Sequence, residues 1–168
     1  MRRRRGADAR SVEAVYDALA PAVLGYFRSH RVADPEALTG DVFVAVTKRL
    51  ADFEGDDAAL RRWVFTIAHH RRVDEVRRAV RLHAPGLPGT EAVEDEDPFD
   101  PTLAAALATL TDDQRQVVVL RHVADLSIED VAHITGRSAG SVKMLTARGL
   151  EALAARLGPF EHRPVVRP

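Results

Sequence analysis

The stretch LSIEDVAHITGRSAGSVKMLTARGL, residues 126–150, predicts two helices joined by a tight turn. Ser127 is suited to cap the first helix, and Asp130 follows three residues later, near the second position of a capping box. Gly136 supplies the turn because glycine adopts backbone conformations that other residues avoid. Ser138 is placed to cap the second helix. The stretch therefore predicts a helix-turn-helix unit.

The spacing of three small or apolar residues makes this unit typical of DNA-binding proteins. Ala132 stands where two helices cross, Gly136 forms the turn four residues later, and Val142 anchors the second helix six residues after that. An ordinary helical hairpin is the alternative, since a glycine between amphipathic helices is common. The second helix leaves polar and long side chains free to face outward: Ser141, Lys143, Met144 and Arg148.

Composition restricts the class of protein. The chain has 168 residues, 46% of them hydrophobic, and no segment long enough to cross a bilayer. Residues 1–5 are basic, but the residues after them are small and polar, so we expect no export signal and a cytoplasmic location. The absence of cysteine excludes disulfides and thiolate metal sites.

Charge divides the chain into three blocks. Residues 1–83 carry a net charge of +4, residues 84–101 carry −6 and residues 102–168 carry +1. The middle block contains four prolines and little apolar surface, so it predicts a linker between two helical domains. Composition alone favours a plain solvated tether here.

Three helices are predicted in the first block, and no strand pattern is found. Residues 11–28 form one buried helix, or two short ones separated at Pro21, and residues 34–50 form a second helix with Asp34 as its cap. The third helix lies in LRRWVFTIAHHRRVDEVRRAVRL, residues 60–82. We expect its packing residues to be Leu60, Trp63, Val64, Ile67, Val73, Val76 and Val80.

The third helix is also strongly basic. Arginines at five positions within about three turns attract phosphates through counterion release, although a solvated basic face would have the same composition. These residues are Arg71, Arg72, Arg77, Arg78 and Arg81. His69 and His70 precede them, and surface or capping histidines are the alternative to a nucleic-acid role for this pair.

The ordered segments DPEALTGDVF, LRRWVFTIAHHRRVDEVRR, the acidic linker and LATLTDDQRQVVVLRHVADLSIEDVAHITGRSAGSVK resemble the extracytoplasmic-function (ECF) sigma factors of the sigma-70 family. Two-component response regulators have similar helix-turn-helix segments but lack the arginine-rich helix upstream. The resemblance implies an all-α fold of two small domains: a region 2-like domain over residues 1–83 and a region 4-like domain over residues 102–157. Residues 84–101 would be the acidic Pro-rich linker and residues 158–168 a flexible tail.

The resemblance also implies roles for the first domain. The helix over residues 34–50 would dock on the beta-prime coiled coil of core RNA polymerase through Glu36, Asp41, Lys48 and Arg49. Gly40 stands where the family usually has glutamine. Residues 52–59 would help to hold an unstacked base of the minus-ten element, with His70 where an asparagine commonly reads that base. The implied minus-ten contacts are His69, His70, Arg71, Arg72, Asp74, Arg77 and Arg78.

In the second domain the resemblance implies that the helix from Ser138 to Leu150 enters the major groove at the minus-thirty-five element. The implied contacts are Arg137, Ser138, Ser141, Lys143, Met144 and Arg148. Relatives often carry serine, arginine and histidine where this chain has Met144, Leu145 and Ala147, which predicts looser base recognition. In the family the acidic linker runs through the active-site cleft and RNA exit channel of the polymerase.

The resemblance therefore predicts a transcription initiation factor that is not an enzyme and needs no cofactor or metal. Its implied partners are core RNA polymerase, through the beta-prime and beta subunits, promoter DNA and an anti-sigma factor; membrane insertion is not expected. Two alternatives stay open. One is a stand-alone helix-turn-helix regulator that binds an operator as a dimer, and the other is a sigma-like protein without initiation activity.

Overall fold

Seven α-helices and one short 3-10 helix make up residues 11–82 and 101–158, the part of the chain that the computed structural model describes. The first domain contains α1 (Val12–Ser29), α2 (Pro35–Thr47), the 3-10 helix (Leu50–Asp52) and α3 (Asp57–Leu82). The second contains α4 (Pro101–Ala108), α5 (Asp112–His122), α6 (Ile128–Thr135) and α7 (Ala139–Leu157). No strand occurs in these two ranges, which confirms the all-α prediction.

Helix α1 is continuous, so the prediction of one helix rather than two is the correct one. Ser11 caps it, since its side chain accepts a hydrogen bond from the backbone N–H of Ala14. Pro21 lies inside the helix on its exposed side. The buried residues Leu19 and Val23 on either side of the proline hold both halves against the domain core, which offsets the missing backbone hydrogen bond.

Helix α3 packs only over its first half. Its buried residues all lie between Leu60 and Arg72, whereas Val76 is 49% and Val80 72% exposed. The prediction that these two valines belong to the packing set is therefore wrong. A helix of 26 residues is about 39 Å long at 1.5 Å per residue, and the large apolar side chains of its last turns, Val76, Val80 and Leu82, are exposed.

The helix-turn-helix forms as predicted. Ser127 and Asp130 make the capping box of α6, and Gly136 ends that helix in the left-handed conformation, with φ of 68°. Ser138 caps α7 by accepting a hydrogen bond from the backbone N–H of Ser141. Glycine suits the turn because a left-handed residue with a side chain is strained there.

Several helix boundaries differ from the prediction: α3 begins at Asp57 instead of Leu60, and α7 continues to Leu157 instead of ending at Leu150. The second helix ends at Thr47 instead of Leu50 because the chain turns into the 3-10 helix. Pro101, assigned to the linker, is the first residue of α4, a position where the missing N–H of proline costs nothing. Residues 1–10, 83–100 and 159–168 are not among the residues that the structure describes, so the predicted linker and the predicted tail lie almost entirely outside them.

The two domains touch each other in this structure. Helix α1 contacts α4 and α5, and α3 contacts α6. Arg61 of α3 donates a hydrogen bond to the carbonyl of Ala124, 3.2 Å away, and Arg62 pairs with Asp130 of the helix-turn-helix at 3.2 Å. Among the described residues, no helix is both long and apolar enough to cross a membrane.

Candidate nucleic-acid interface

The first turns of α7 present an open polar surface. Ser138, Lys143, Met144 and Arg148 are exposed, and Ser141 is half-buried. On the opposite side of the helix, Val142 is fully buried in the domain core. This division follows from the 3.6-residue period of the helix, and it leaves the outer face with two cations and one large apolar side chain available to a ligand.

Arg137, at the turn before α7, is less available than its neighbours. Its guanidinium pairs with the carboxylate of Asp113, at the start of α5, and its Nε is buried without a hydrogen-bond partner. The side chain is 31% exposed. Among the predicted minus-thirty-five residues, Arg137 is the one that forms an ion pair with an acidic side chain of its own domain.

The predicted minus-ten residues divide between two faces of α3. On the outer face, one histidine, three arginines and one aspartate are exposed, and this set consists of His70, Arg71, Asp74, Arg77 and Arg78. Two of the arginines form loose pairs three residues apart on the same helix, Arg77 with Asp74 and Arg78 with Glu75. The Arg77–Asp74 pair is exposed on both sides and contributes little, and the Arg78 side chain is itself 66% exposed, so both arginines remain available to phosphates.

His69 and Arg72 occupy the inner face instead. Arg72 is 8% exposed; its Nε donates to the hydroxyl of Tyr26 at 3.2 Å, and its Nη1 donates to Asp112 at 3.3 Å. The Nδ1 of His69 lies 2.9 Å from the amide nitrogen of Gln116 and 3.3 Å from the Tyr26 hydroxyl. These five residues come from α1, α3 and α5, so the cluster joins the two domains.

Burial sets the protonation of the histidines in this region. Desolvation, helped by the positive charges of Arg72 and His70, lowers the pKa of His69 to about 4. Desolvation and Arg72 also lower the pKa of His30 to about 4. A neutral His69 fits its contacts, because the amide of Gln116 donates and Nδ1 must therefore accept.

The segment predicted to receive an unstacked base forms a defined corner before α3. Asp56 accepts a hydrogen bond from the backbone N–H of Ala59 at 2.8 Å and so holds the start of the helix. The rings of Phe53 and Trp63 stack with centroids 5.1 Å apart and planes 20° from parallel. Trp63 is half-buried against the core, in keeping with its predicted packing role.

The predicted polymerase-binding residues all lie on the exposed side of α2 and just after it. Glu36 and Asp41 are on the helix, where Glu36 pairs with Arg28 of α1. Lys48 and Arg49 follow its last residue, Thr47. Gly40 is exposed as well, and a Cβ at this position would meet nothing within 4 Å.

The residues that contact the inner face of α3 were not predicted from the sequence. Asp112 and Asp113 have the signature of a helix start, since Thr111 and Gln114 form a capping box and acidic residues suit the first turn. No role was predicted for Gln116 or Tyr26. The one available signal was the presence of two adjacent carboxylates in a chain with a strongly basic helix.

Comparison with protein families identifies both domains. Residues 15–82 match the family model described as Sigma-70 region 2, and residues 102–153 match Sigma-70, region 4. The first match contains α2 and α3, and the second contains the helix-turn-helix.

Individual proteins are similar over most of the chain. It is 30% identical to the RNA polymerase sigma factor YlaC of Bacillus subtilis over 145 residues, which cover 79% of this chain and 83% of that protein. It is 31% identical to the ECF RNA polymerase sigma factor ShbA of Streptomyces griseus, covering 85% of this chain and 87% of the relative.

Solved structures share the fold. The sigma factor RpoE of Bartonella quintana, determined with the anti-sigma factor NepR, has a TM-score of 0.68 at 22% identity and covers 88% of this chain and 97% of its own. CnrH, determined with the cytosolic domain of CnrY, has a TM-score of 0.62 at 25% identity and covers 88% of each chain.

Proposed function

This chain belongs to the extracytoplasmic-function group of the sigma-70 family and is an RNA polymerase sigma factor that directs promoter recognition; we propose that its two domains divide that work between three surfaces. Residues 1–83 would dock on core polymerase and bind the minus-ten element, and residues 102–157 would bind the minus-thirty-five element. The observation that carries this assignment is the outward-facing cationic surface on each domain. Sigma factors act without catalysis of their own.

At the minus-thirty-five element, the start of α7 is suited to the major groove. A helix fits that groove, and the free backbone N–H groups at a helix start attract a phosphate. Lys143 and Arg148 supply cations from the exposed face. Met144 offers an apolar surface for the methyl group of thymine in place of a bidentate hydrogen bond, so base discrimination here should be modest.

At the minus-ten element, the outer face of α3 would bind the DNA. Arg71, Arg77 and Arg78 are exposed and suited to phosphate contacts that position the strand. His70 is exposed beside them, and its ring can stack on an unstacked base and bond to the base edge. His69 and Arg72 belong to the same proposed set but are covered in this structure.

Core polymerase would bind the exposed side of α2 through Glu36, Asp41, Lys48 and Arg49. Gly40 allows a sharp test of this surface because the position is open. We expect Gly40→Gln, the residue usual in the family, to tighten core binding, and Asp41→Ala to weaken it. Gly40→Ala is the matched control for helix propensity, which it raises by about 1 kcal/mol without adding an amide.

An anti-sigma factor is a further proposed partner, supported by the complex with the anti-sigma factor NepR in which one structural neighbour was determined. A cytoplasmic location follows from the proposed work on core polymerase and agrees with the lack of membrane-spanning helices in the described residues.

Run-off transcription tests the function directly. Purified core polymerase would be assayed on a genomic promoter pool with and without this protein, and new protein-dependent start sites are expected. Stable core binding without new starts would favour a sigma-like protein without initiation activity. No core binding at all would favour the stand-alone helix-turn-helix regulator.

A further inference from the structure

Arg137, in the turn of the helix-turn-helix, is bonded to more than the two helices that it joins. Its backbone N–H donates to the carbonyl of Ala132 in α6, 3.1 Å away, and the next residue, Ser138, caps α7. Its guanidinium forms an ion pair with the carboxylate of Asp113 in the first turn of α5. One residue therefore connects α5, α6 and the start of α7.

The side chain of Arg137 lies partly beneath the surface of the domain. Its Nε is buried without a hydrogen-bond partner, whereas Lys143 and Arg148 on α7 are exposed. A phosphate of bound DNA cannot reach a nitrogen that solvent does not reach. The Nη2 atom already has Asp113 as its acceptor, and a carboxylate binds a guanidinium in the same way as a phosphate does.

Helix α7 is attached to α5 at a second place. Gly149, about three turns further along, packs so closely on α5 that a Cβ would lie 2.7 Å from Cγ2 of Val118 and 3.5 Å from Cβ of Gln114. A helix that is held at one point can still tilt about it, whereas two points fix its direction. The ion pair of Arg137 is thus placed to fix the direction of the exposed first turns of α7.

We propose that Arg137 is a positioning residue of the minus-thirty-five domain: through its ion pair with Asp113 it fixes the start of α7 on α5 and does not itself contact DNA. The proposal rests on the proposed function, because it assumes that α7 enters the major groove. Binding residues have to be held within about 0.5 Å of their productive geometry, so a small tilt of α7 is enough to lose contacts to base edges. Asp113 then takes part in base discrimination through Arg137.

The salt dependence of binding distinguishes positioning from a phosphate contact. Each phosphate that a protein cation neutralises adds about 0.9 to the slope of log K against log salt. Because Asp113 already neutralises Arg137, removal of the pair should leave this slope unchanged. Removal of a phosphate contact would lower the slope by about one and weaken binding to all sequences alike.

Two double variants with unchanged net charge test the proposal. Arg137→Met with Asp113→Asn removes the pair, and Arg137→Asp with Asp113→Arg reverses it. Fluorescence anisotropy on the full chain compares a duplex carrying the upstream element of a start site found by run-off transcription with a duplex in which that element is scrambled. We expect removal to lower the ratio of the two affinities by about fivefold, the scale of one partly exposed ion pair, and reversal to keep it near that of the parent.

The matched control is Glu151→Gln with Arg156→Met. It removes one charge of each sign from exposed positions on the second half of α7, so both the affinity ratio and the salt slope should stay as in the parent. Thermal denaturation followed by circular dichroism checks that the variants are folded. A loss of stability alone lowers both affinities to the same extent and leaves their ratio unchanged.

An unchanged ratio after removal of the pair would overturn the positioning role. Equal weakening on both duplexes with a slope lower by about one would instead make Arg137 a phosphate contact. A reversed pair that discriminates as poorly as the removed pair would make Arg137 a base contact. Failure of the proposed function is distinguishable, because the unmodified protein would then give no protein-dependent start sites.

Discussion

The two helices proposed to bind promoter DNA differ in how much of their binding surface is accessible. On α7 the exposed face includes Lys143, Met144 and Arg148, and no side chain of the first domain covers it among the described contacts. On α3 the outer face is open, but Arg72 is buried and His69 is half-buried, and both contact side chains of α5.

The difference arises from what each helix packs against. Helix α7 buries one face within its own domain, and the helix-turn-helix fold leaves the other face free. Helix α3 packs on α1 and α2 and also meets the second domain. The basic residues of a helix are therefore not all accessible to DNA. DNA binding by α3 should depend on whether the two domains are in contact, whereas DNA binding by the exposed face of α7 should not.

The largest expected effect separates the packed half of α3 from its projecting half. Val64→Ala should lower the free energy of unfolding by about 3 kcal/mol, since it removes two buried carbons and leaves a cavity. Val80→Ala makes the same change at a position that is 72% exposed and should cost well under 1 kcal/mol. Urea denaturation of both variants measures the difference; equal losses would mean that the end of α3 is packed.

The next effect concerns the packing of α7 against α5. A methyl group at Gly149 would lie 2.7 Å from Cγ2 of Val118 on α5, and Val118 is itself buried. Overpacking of this kind costs about 2 kcal/mol, so Gly149→Ala should lower the melting temperature. Gly140→Ala on the same helix has open space at its Cβ and should be neutral or stabilising. A Gly149→Ala protein as stable as the parent would show that α5 and α7 adjust freely.

DNA binding by the exposed face of α7 gives a smaller effect. Arg148→Ala should weaken binding of a minus-thirty-five duplex by about tenfold, at the low end of one lost base contact. Glu151→Ala, an exposed change one turn further along the helix, serves as the control and should not weaken binding. Fluorescence anisotropy at fixed salt measures both, and an Arg148→Ala protein that binds like the parent would remove this arginine from the interface.

Stability should also depend on pH. Because the pKa of His69 and of His30 is about 4 when folded and near 6.5 when unfolded, the unfolded chain takes up protons first as pH falls. Stability from these groups is complete above pH 6.5 and is lost progressively between about 6.5 and 4.

Urea midpoints at pH 7 and pH 5 measure this loss. We expect His69→Gln to reduce the pH dependence and His133→Gln, at an exposed position, to leave it unchanged. If both variants keep the full dependence of the parent, His69 is not one of its sources.

Much of the fold follows from local patterns in the sequence. The caps at Ser11, Asp34, Ser127 and Ser138 were predictable because each acts on the backbone within three residues. The turn at Gly136 was predictable because few other residues tolerate its conformation. The outward face of α7 followed from helical periodicity next to a recognisable motif.

The end of α3 shows where the same patterns fail. Val76 and Val80 continue the apolar spacing of Val64, yet they are exposed because the helix extends beyond the core that its first half packs on. Periodicity identifies the side of a helix that faces the core. It does not report how far along the helix a partner is present.

The sequence by itself determined the helices, their caps, the helix-turn-helix and the basic character of α3, since each depends on residues a few positions apart. Only the tertiary structure decided which basic residues are accessible. The contact between Arg72 and Asp112 joins residues 40 positions apart, and that between His69 and Gln116 spans 47. Both contacts depend on how two domains meet, and a polar surface pattern is the same whether the surface faces water or another domain.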